Sequence, residues 1–336
     1  MAVLYLASDQ EGAGKTALCA SLAHRMEQAG RKAAVFKPVA GEGLGADSDP
    51  DVASFHKLLD QRAEGWPIDL PKRGLTAKPL GEIRAAFDRV SEGADLILVE
   101  GSCALSLDQT GELANSLDAK VLVVSRYRRD LSASDLKRWE AVGNSLIGFV
   151  INGLSPYLGT EASTILLPSL EAEGLVCFGV IPEDRRLLGV SVRQLAEHLD
   201  GRFVACEEKA DTLVEHLMVG GMGMDPGELY FGERSDKAVI VRGDRPDVQM
   251  PALNSLTSCM VLTKGIEPIE YVKYEAEQEE VALMVVQTDT LDTMEALNSL
   301  MGRARFDHPL KLSRYGELVG QHVDLPALFG VLGLEE

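Results

Sequence analysis

A glycine-lysine-threonine triplet near the amino terminus has the residue types that bind a phosphate group. The triplet follows the apolar run VLYLA, which begins at Val3, and precedes apolar residues at helical spacing up to Gly30. At such a strand-to-helix junction the backbone N–H groups and the helix dipole favour an anion. Lys15 supplies positive charge there, and the hydroxyl of Thr16 can reach Mg²⁺. The residues that we expect to hold the phosphates are Gly12, Ala13, Gly14, Lys15, Thr16 and Ala17.

The entrance to this loop departs from the usual pattern G-x-x-x-x-G-K-[ST], which requires a glycine where this chain has Asp9. A loop that is one residue longer begins at Ser8 instead. Because a non-glycine residue at that position needs an allowed backbone geometry, the loop conformation is the first property to check. The alternative is a strand-to-helix turn with a purely structural role.

Charged residues further along the chain could reach the same place. Lys37 follows the apolar run AAVF, Glu100 follows LILV, and the polar stretch GADSDPDV contains three aspartates. That stretch is too polar and too interrupted by proline to predict a helix, so its aspartates could equally form an exposed turn. Since Mg²⁺ takes one or two carboxylates together with phosphate oxygens and water, these carboxylates are candidate metal ligands. The three aspartates are Asp47, Asp49 and Asp51.

The candidate residues are spaced along a series of short, continuous apolar runs. The runs begin at residues 3, 33, 96, 121, 147 and 178, and each is followed by a polar or helical stretch. Continuous rather than alternating runs are typical of strands covered on both faces, which indicates an α/β fold with a parallel sheet flanked by helices. Such sheets bind ligands at the carboxyl ends of their strands, where Thr16, Glu100 and the aspartates would converge.

A second series of strand-like and helix-like segments begins after residue 205. We therefore predict two α/β domains, residues 1–205 with the parallel sheet and residues 206–336 as a smaller unit, in line with about 150 residues per domain. The five cysteines stand singly, without a C-x-x-C pair, so the sequence predicts neither a zinc ribbon nor a redox pair.

The composition limits the partners of the protein. Lys and Arg number 33 against 52 Asp and Glu, and the formal net charge of −19 repels nucleic acid and anionic lipid. The first residues lack the basic front of a signal peptide, and no apolar run approaches the length of a membrane span. We therefore expect a cytoplasmic protein that binds neither nucleic acid nor membrane.

Four stretches together resemble the dethiobiotin synthetase group of P-loop nucleotide-binding enzymes: the longer loop SDQEGAGKT, the stretch VFKPV, the Ser48-Asp49 pair and the strand end VEG. The resemblance implies that ATP and Mg²⁺ bind at the loop. It also implies that Lys15 and Lys37 neutralise charge on the γ-phosphate during phosphoryl transfer. The magnesium ligands that it implies are Thr16, Asp49 and Glu100.

The resemblance extends to the loops that follow the fifth and sixth apolar runs. In the related enzymes an asparagine and the loop after the last strand hold the adenine. The corresponding residues here are Asn152 in FVING and Pro182 and Glu183 in GVIPEDR. Asn152 could equally cap a turn.

The second half of the chain resembles a DRTGG domain. The matching stretches are GDRPDV, VGGMGMD, VLTKG and TDTLDTMEALNSLMGR, with Pro246 replacing the threonine of the naming motif. A P-loop domain followed by such a domain resembles the N-terminal regulatory region of long bacterial phosphotransacetylases, here without the acetyltransferase domain. The resemblance implies a homodimer and nucleotide sensing. Asp244, Arg245 and Asp247 could form a ligand or dimer loop, or equally an ordinary charged turn.

Three functions are compatible with these features. The paired architecture favours a Mg²⁺-ATP-binding regulatory or sensor protein, with a metabolic enzyme as a further partner. The alternative is an ATP-dependent carboxylate or carbamate ligase of the dethiobiotin synthetase type, although Glu42 near Lys37 would repel an acidic substrate. A scaffold or partitioning ATPase is the third, but those proteins usually carry a second lysine where this chain has Asp9 or Gln10.

Overall fold

The computed structural model describes residues 1–41, 43–45, 48–59, 67–69, 75–221, 227–301 and 304–334; Glu42, Asp47 and most of the VGGMGMD stretch lie outside these ranges. The chain divides into two compact units. The first comprises Met1–Asp184 and Phe306–Glu336, and the second comprises Arg185–Arg305. This division differs from the predicted boundary at residue 205, because the segment 185–205 packs with the second unit and the segment after residue 305 packs with the first.

Strands and helices alternate through most of the described chain. The strands are β1 Ala2–Ala7, β2 Ala33–Phe36, β3 Leu96–Glu100, β4 Lys120–Arg126, β5 Leu146–Leu154, β6 Cys177–Pro182, β7 Val190–Ser191, β8 Arg202–Ala205, β9 Leu213–Val214, β10 His216–Gly220, β11 Lys237–Arg242, β12 Thr257–Thr263 and β13 Ala282–Val285. The α-helices are α1 Lys15–Gln28, α2 Pro50–Leu59, α3 Ala77–Val90, α4 Leu107–Ser116, α5 Ala133–Lys137, α6 Gly159–Glu161, α7 Leu167–Ala172, α8 Val192–Leu199, α9 Gly227–Phe231, α10 Pro246–Leu253, α11 Glu270–Gln278, α12 Thr290–Met301, α13 Pro309–His322 and α14 Leu325–Val331.

The first unit is built on a six-stranded sheet in the order β2-β3-β1-β4-β5-β6. Every pairing is parallel, so the carboxyl ends of the strands share one edge. The central strands β1 and β3 are buried along their whole length, as expected for strands covered on both faces. The six strands predicted from the apolar runs, and the α/β class of the fold, are confirmed.

Helix α1 begins at the phosphate-binding loop and lies against the sheet. Leu18, Leu22 and Met26 recur at helical spacing and are buried. The helix ends where Gly30 takes a positive φ of 74° and its N–H donates to the carbonyl of Glu27 at 3.0 Å, which satisfies an orphan carbonyl of the last turn. The loop is therefore held between a buried strand and a buried helix.

The carboxyl-terminal segment completes the first unit. Helix α13 packs on α1 and on β6, and Tyr315, Leu318 and Val319 bury their side chains there. Val323, just after the helix, forms an antiparallel bridge with Gly179 of β6. No local sequence signal distinguishes this helix from those of the second unit, because the choice depends on long-range packing.

The second unit has its own five-stranded sheet in the order β10-β11-β12-β13-β8. The first four strands are parallel, and β8 pairs antiparallel with β13. One hydrophobic cluster lies between the sheet and helices α9, α10 and α11, and another lies between the sheet and helices α8 and α12. The unit thus has a core on both faces of its sheet.

Within the described ranges, none of the helices is both long enough and apolar enough to traverse a lipid bilayer.

Candidate nucleotide-binding site

The phosphate-binding loop needs glycine for two physical reasons. Gly12 and Gly14 have positive φ values of 67° and 100°, a region that L side chains rarely adopt. A Cβ atom on Gly14 would also lie 2.1 Å from Nδ2 of Asn152. That amide donates to the carbonyl of Ala13 at 2.8 Å, so Asn152, near the end of β5, helps to hold the loop in place through this hydrogen bond.

Ser8 organises the loop entrance where glycine was expected. Its hydroxyl donates to the carbonyl of Gln10 at 2.9 Å and accepts from the N–H of Gln10 at 3.2 Å. Ser8 is not among the described non-glycine residues that have a positive φ, so its position requires no glycine. The next residue, Asp9, forms an ion pair with Arg138, a partner that no sequence pattern indicates.

Thr16 meets two carboxylates in the first turn of α1. Its Oγ1 lies 2.8 Å from Oε1 of Glu100 and 3.0 Å from Oδ1 of Asp51. Glu100 comes from the end of β3, where it is 2% exposed. The structure therefore brings together two members of the predicted metal trio, Thr16 and Glu100, and adds Asp51.

Asp49, the third predicted metal ligand, has other partners. Its Oδ1 lies 3.0 Å from Nζ of Lys37 and accepts from the N–H of Asp51 at 2.9 Å, while its Oδ2 accepts from the N–H of Gly41. Asp49 precedes helix α2, which begins at Pro50. The expectation that proline excludes a helix here is wrong, because proline is tolerated in the first helical turn, where its missing N–H would be unpaired anyway.

Lys37 lies between the two aspartates at the end of β2. Its ammonium group is buried and forms ion pairs with both Asp49 and Asp51. Burial disfavours the charged form, but the carboxylates of Glu100, Asp51 and Asp49 outweigh it, so the pKa of Lys37 is raised. Lys37 therefore carries a positive charge beside the loop at every physiological pH.

The pKa of Glu100 is also raised, but here burial is the main cause and the neighbouring lysines oppose it. Burial raises the pKa of Glu100 to about 8, and the neighbouring charge of Asp51 acts in the same direction. Lys37, Lys15 and the hydrogen bond from Thr16 oppose this shift without cancelling it. The other carboxylate oxygen, Oε2, is buried and has no hydrogen-bond partner among the described residues. An unpartnered buried acceptor in a cluster of oxygens is a feature that a bound cation would satisfy.

The donor set has the character of a magnesium site. Two carboxylates and one hydroxyl converge, and Mg²⁺ usually takes one or two carboxylates together with phosphate oxygens and water. Among the described residues no group of three or more His, Cys, Asp or Glu side chains could hold a metal ion. The oxygen donors of Thr16, Asp51 and Glu100 fit a cation that takes its other ligands from phosphate and water.

Lys15, the cation of the phosphate-binding loop, is 8% exposed and donates to Sγ of Cys103 at 3.1 Å. Cys103 lies in the segment after β3, 88 residues away in sequence. Sequence reasoning missed this contact because nothing local to either residue marks it.

The residues predicted to hold adenine end two adjacent strands. Asn152 of β5 pairs in register with Ile181 of β6, one residue before Pro182. Glu183 donates its N–H to the carbonyl of Leu154 at 2.8 Å, and its carboxylate lies 3.4 Å from Arg126. Of these residues Asn152 contacts the loop directly, and Pro182 and Glu183 lie at the end of the next strand of the sheet.

The charged turn of the second unit is held by local ion pairs. Arg242 pairs with Asp244, and Arg245 pairs with Asp247 at 2.7 Å, each two residues along the chain. The side chains of all four are at least 29% exposed. Exposed pairs of this kind contribute little to stability.

Comparison with known proteins relates both units to described families. The family model of an AAA domain matches residues 2–206, more than half of the chain, and the model of a DRTGG domain matches residues 194–300. The AAA match ends close to the predicted boundary at residue 205, whereas the compact units divide at residue 184.

The chain is similar over nearly its whole length to phosphate acetyltransferases. It is 23% identical to that of Nitratidesulfovibrio vulgaris in an alignment 355 residues long, and the alignment covers 96% of this chain and 50% of the relative. The chain thus spans about half the length of this relative. It is also 29% identical to the ATP-dependent dethiobiotin synthetase of Parafrankia over 233 residues, which cover 62% of this chain and 97% of the relative.

Among solved structures, the chain is similar to cobyrinic acid a,c-diamide synthase of Mycobacterium smegmatis with bound ADP and magnesium. The identity is 18%, the TM-score is 0.37, and the match covers 55% of this chain and 88% of that one. A TM-score this low supports no inference about ligands. The predicted resemblances to dethiobiotin synthetase and to the DRTGG-containing region of phosphotransacetylases are confirmed by the sequence matches. The chain belongs to the AAA domain family, and a DRTGG domain follows its P-loop domain.

Proposed function

We propose that the protein binds Mg²⁺-ATP in its first unit and acts as a regulatory or sensor protein. The observation that carries the proposal is the convergence of Thr16, Asp51 and Glu100 beside Lys15 and Lys37, at the carboxyl edge of a parallel sheet. Parallel sheets bind nucleotides at this edge, and a helix amino terminus there favours phosphate. Both lysines and all three oxygen donors are buried or half-buried. Electrostatic interactions among them and with a bound ligand are therefore stronger than at an exposed surface.

Each part of the proposed site has a separate task. The loop from Gly12 to Ala17 presents backbone N–H groups to the phosphates, and Lys15 and Lys37 offset phosphate charge. Thr16, Asp51 and Glu100 would hold Mg²⁺, which when bound neutralises charge on the phosphate oxygens. Asn152, Pro182 and Glu183 would border the base. We assign Asp51 in place of Asp49 because Asp51 is the one beside Thr16.

The regulatory role rests on the second unit. This unit has its own sheet and its own core on both faces, and its charged turn is held by local Arg–Asp ion pairs. A compact α/β unit covers remaining apolar surface most commonly by twofold self-association. We therefore propose a homodimer in which nucleotide at the first unit alters pairing of the second, with a metabolic enzyme as the regulated partner.

Sedimentation of the intact protein across a concentration series, with and without Mg²⁺-ATP, tests this proposal. Binding free energies make the coupling reciprocal, so a nucleotide whose affinity depends on dimerisation must change the dimer constant, by about fivefold or more for typical coupling. A dimerisation constant that is the same with and without bound nucleotide would contradict the sensor role. A protein that is monomeric at every concentration would contradict it as well.

A second candidate is an ATP-dependent carboxylate or carbamate ligase. The observation that favours it is Lys37, whose buried charge would stabilise phosphoryl transfer, together with similarity over 97% of a dethiobiotin synthetase. Measurement of ADP release in the presence of a panel of amino acids and diamino acids separates the two candidates. Release that depends on one acid supports the ligase, and release that no acid stimulates supports the sensor.

A further inference from the structure

Cys103 is the resting partner of the loop lysine. Nζ of Lys15 donates to Sγ of Cys103 at 3.1 Å. Cys103 lies three residues beyond Glu100, in the turn that follows β3, and is half-buried. The thiol therefore accepts a hydrogen bond from the loop lysine, which would otherwise face a phosphate group.

Two polar atoms near the end of β3, close in sequence or in space to the turn that carries Cys103, are buried and lack hydrogen-bond partners among the described residues. Neither the hydroxyl of Tyr5 nor Oε2 of Glu100 has a hydrogen-bond partner among the described residues, and both side chains are almost fully buried. A Cβ atom on Gly101 would lie 2.7 Å from the Tyr5 hydroxyl, so that phenol points at the turn that carries Cys103. Buried polar atoms are usually paired, so these two indicate a place that a polar ligand completes.

We propose that Cys103 is a thiol lock on the nucleotide site: a group attached to its sulfur and a phosphate bound at Lys15 exclude each other. The inference rests on the proposed function. A bound phosphate must draw the Lys15 ammonium away from Sγ, because phosphate is a far stronger acceptor than a thiol. Conversely, a substituent on Sγ is attached to an atom that lies 3.1 Å from Nζ, so it competes with the phosphate for the space beside Nζ.

The natural reagent would be a disulfide of a small thiol. The sulfur of Cys103, as thiolate, attacks one sulfur of the disulfide, a mixed disulfide forms, and the second thiol leaves as thiolate. A reducing thiol reverses the step. The lock therefore closes under oxidising conditions and opens under reducing conditions, with no metal or further cofactor required.

Alkylation by iodoacetamide, followed residue by residue with peptide mass spectrometry, tests the exclusion. In this reaction a sulfur–carbon bond forms and iodide leaves. With Mg²⁺-ATP at 20 times its dissociation constant, the fraction of free site falls to about one-twentieth, and alkylation of Cys103 should slow by about the same factor. Cys177 is also half-buried and serves as the internal control: it begins β6, at the end of the strand away from the loop, so its rate should not change.

The reverse test treats the protein with hydroxyethyl disulfide and measures ATP affinity by calorimetry. The affinity should fall at least about tenfold in the wild type and in Cys177→Ser, and a reducing thiol should restore it. Cys103→Ser should show no difference between treated and untreated protein, since its side chain cannot form the disulfide.

The outcomes separate this inference from the proposed function. If calorimetry detects ATP binding while saturating ATP leaves the alkylation rate of Cys103 unchanged, the lock is wrong and nucleotide binding stands. An unreactive Cys103 in the free protein would also overturn the lock. If the wild type binds no ATP under any condition, both the proposed function and the lock fail.

Discussion

The Thr16 hydroxyl lies 2.8 Å from a carboxylate oxygen of Glu100, although 84 residues separate the two in sequence. The parallel pairing of β1 and β3 creates this contact, because Leu6 stands in register with Glu100 and the loop then carries the chain to Thr16. Side chains at one edge of a parallel sheet converge in this way whatever their spacing along the chain. The contact brings together a hydroxyl and a buried carboxylate, as the proposed magnesium site requires.

Lys15→Ala should remove most of the stabilisation that Mg²⁺-ATP gives to the fold. A ligand at 100 times its dissociation constant stabilises a protein by about 2.7 kcal/mol, and the mutant loses the charge that attracts the phosphates. Thermal unfolding with and without Mg²⁺-ATP measures the difference. Lys78→Ala is the control, because that lysine is 87% exposed on α3 and its variant should keep the full shift. If Lys15→Ala keeps the full increase in thermal stability with Mg²⁺-ATP, the nucleotide binds elsewhere on the protein.

Glu100→Gln should weaken Mg²⁺-dependent ATP binding by about tenfold, or about 1.4 kcal/mol, and binding in EDTA by much less. The substitution removes the carboxylate that Mg²⁺ would bind but almost no volume, and the new side-chain oxygen can still accept from Thr16. Calorimetric titrations in magnesium and in EDTA give both values. Because burial disfavours the ionised carboxylate, the ligand-free variant should be at least as stable as the wild type. Equal losses in the two titrations would assign Glu100 a structural role.

Asp51→Asn and Asp49→Asn should impair different properties, magnesium-dependent binding in the first and stability in the second. Asp51 faces Thr16, so its variant should lose Mg²⁺-dependent affinity, by about tenfold. Both aspartates pair with buried Lys37, but Asp49 is 3% exposed whereas the side chain of Asp51 is 35% exposed. The Asp49 variant therefore leaves a buried charge with less compensation and should lose more stability, roughly 3 kcal/mol. Urea unfolding together with magnesium titration separates the two effects. The reverse pattern would restore Asp49 as the metal ligand.

The sheet and the loop could be predicted from the sequence because their signals are local. Continuous apolar runs indicated buried parallel strands, and the GKT triplet between a strand and a helix indicated a phosphate site. The choice between Asp49 and Asp51 could not be predicted, because both are carboxylates and the first turn of α2 decides which one faces Thr16. The contact of Cys103 with Lys15 depends on the turn after β3, which no residue pattern specifies.

The stability of the second unit should rise with pH between about 8 and about 10.5, because of Lys237. This lysine is fully buried at the start of β11 and donates to the carbonyl of Ser255. Burial lowers the pKa of Lys237 to about 8, against the opposing effect of Asp236. Between that pKa and the ordinary lysine value of 10.5 the unfolded chain binds more protons than the folded chain, so the free energy of unfolding increases with pH.

Lys237→Met should remove this pH-dependent increment, of roughly 1–3 kcal/mol, because the variant has no group to titrate. Thermal unfolding of the intact chain from pH 7.5 to pH 10.5, taken as the difference between variant and wild type, isolates the effect. Lys120→Met is the matched control, since Lys120 also begins a strand but is exposed. A difference that stays constant across this pH range would show that Lys237 is charged in the folded protein.

The fragment 185–305 should fold alone, whereas the fragment 206–336 should not. The first fragment keeps β8, which pairs with β13 at the edge of the sheet, and α8, whose Val192 and Leu195 are part of the core. The second lacks both elements, and it carries helix α13, whose buried face belongs against α1 and β6. An unpaired strand edge and an exposed apolar helix face favour aggregation.

Circular dichroism during heating and sedimentation of both fragments decide the question. The fragment 185–305 should unfold cooperatively and, if the proposed homodimer forms through this unit, should associate as a dimer at micromolar concentration. The fragment 206–336 should unfold without a cooperative transition or sediment as large aggregates. A cooperative fold for 206–336 would place the functional boundary at residue 205, where the AAA match ends, and α8 and β8 would then be dispensable. If the fragment 185–305 folds well but stays monomeric, the second unit is a folding unit that does not form the dimer. The proposed dimer would then form through the first unit, where nucleotide binding could control it directly.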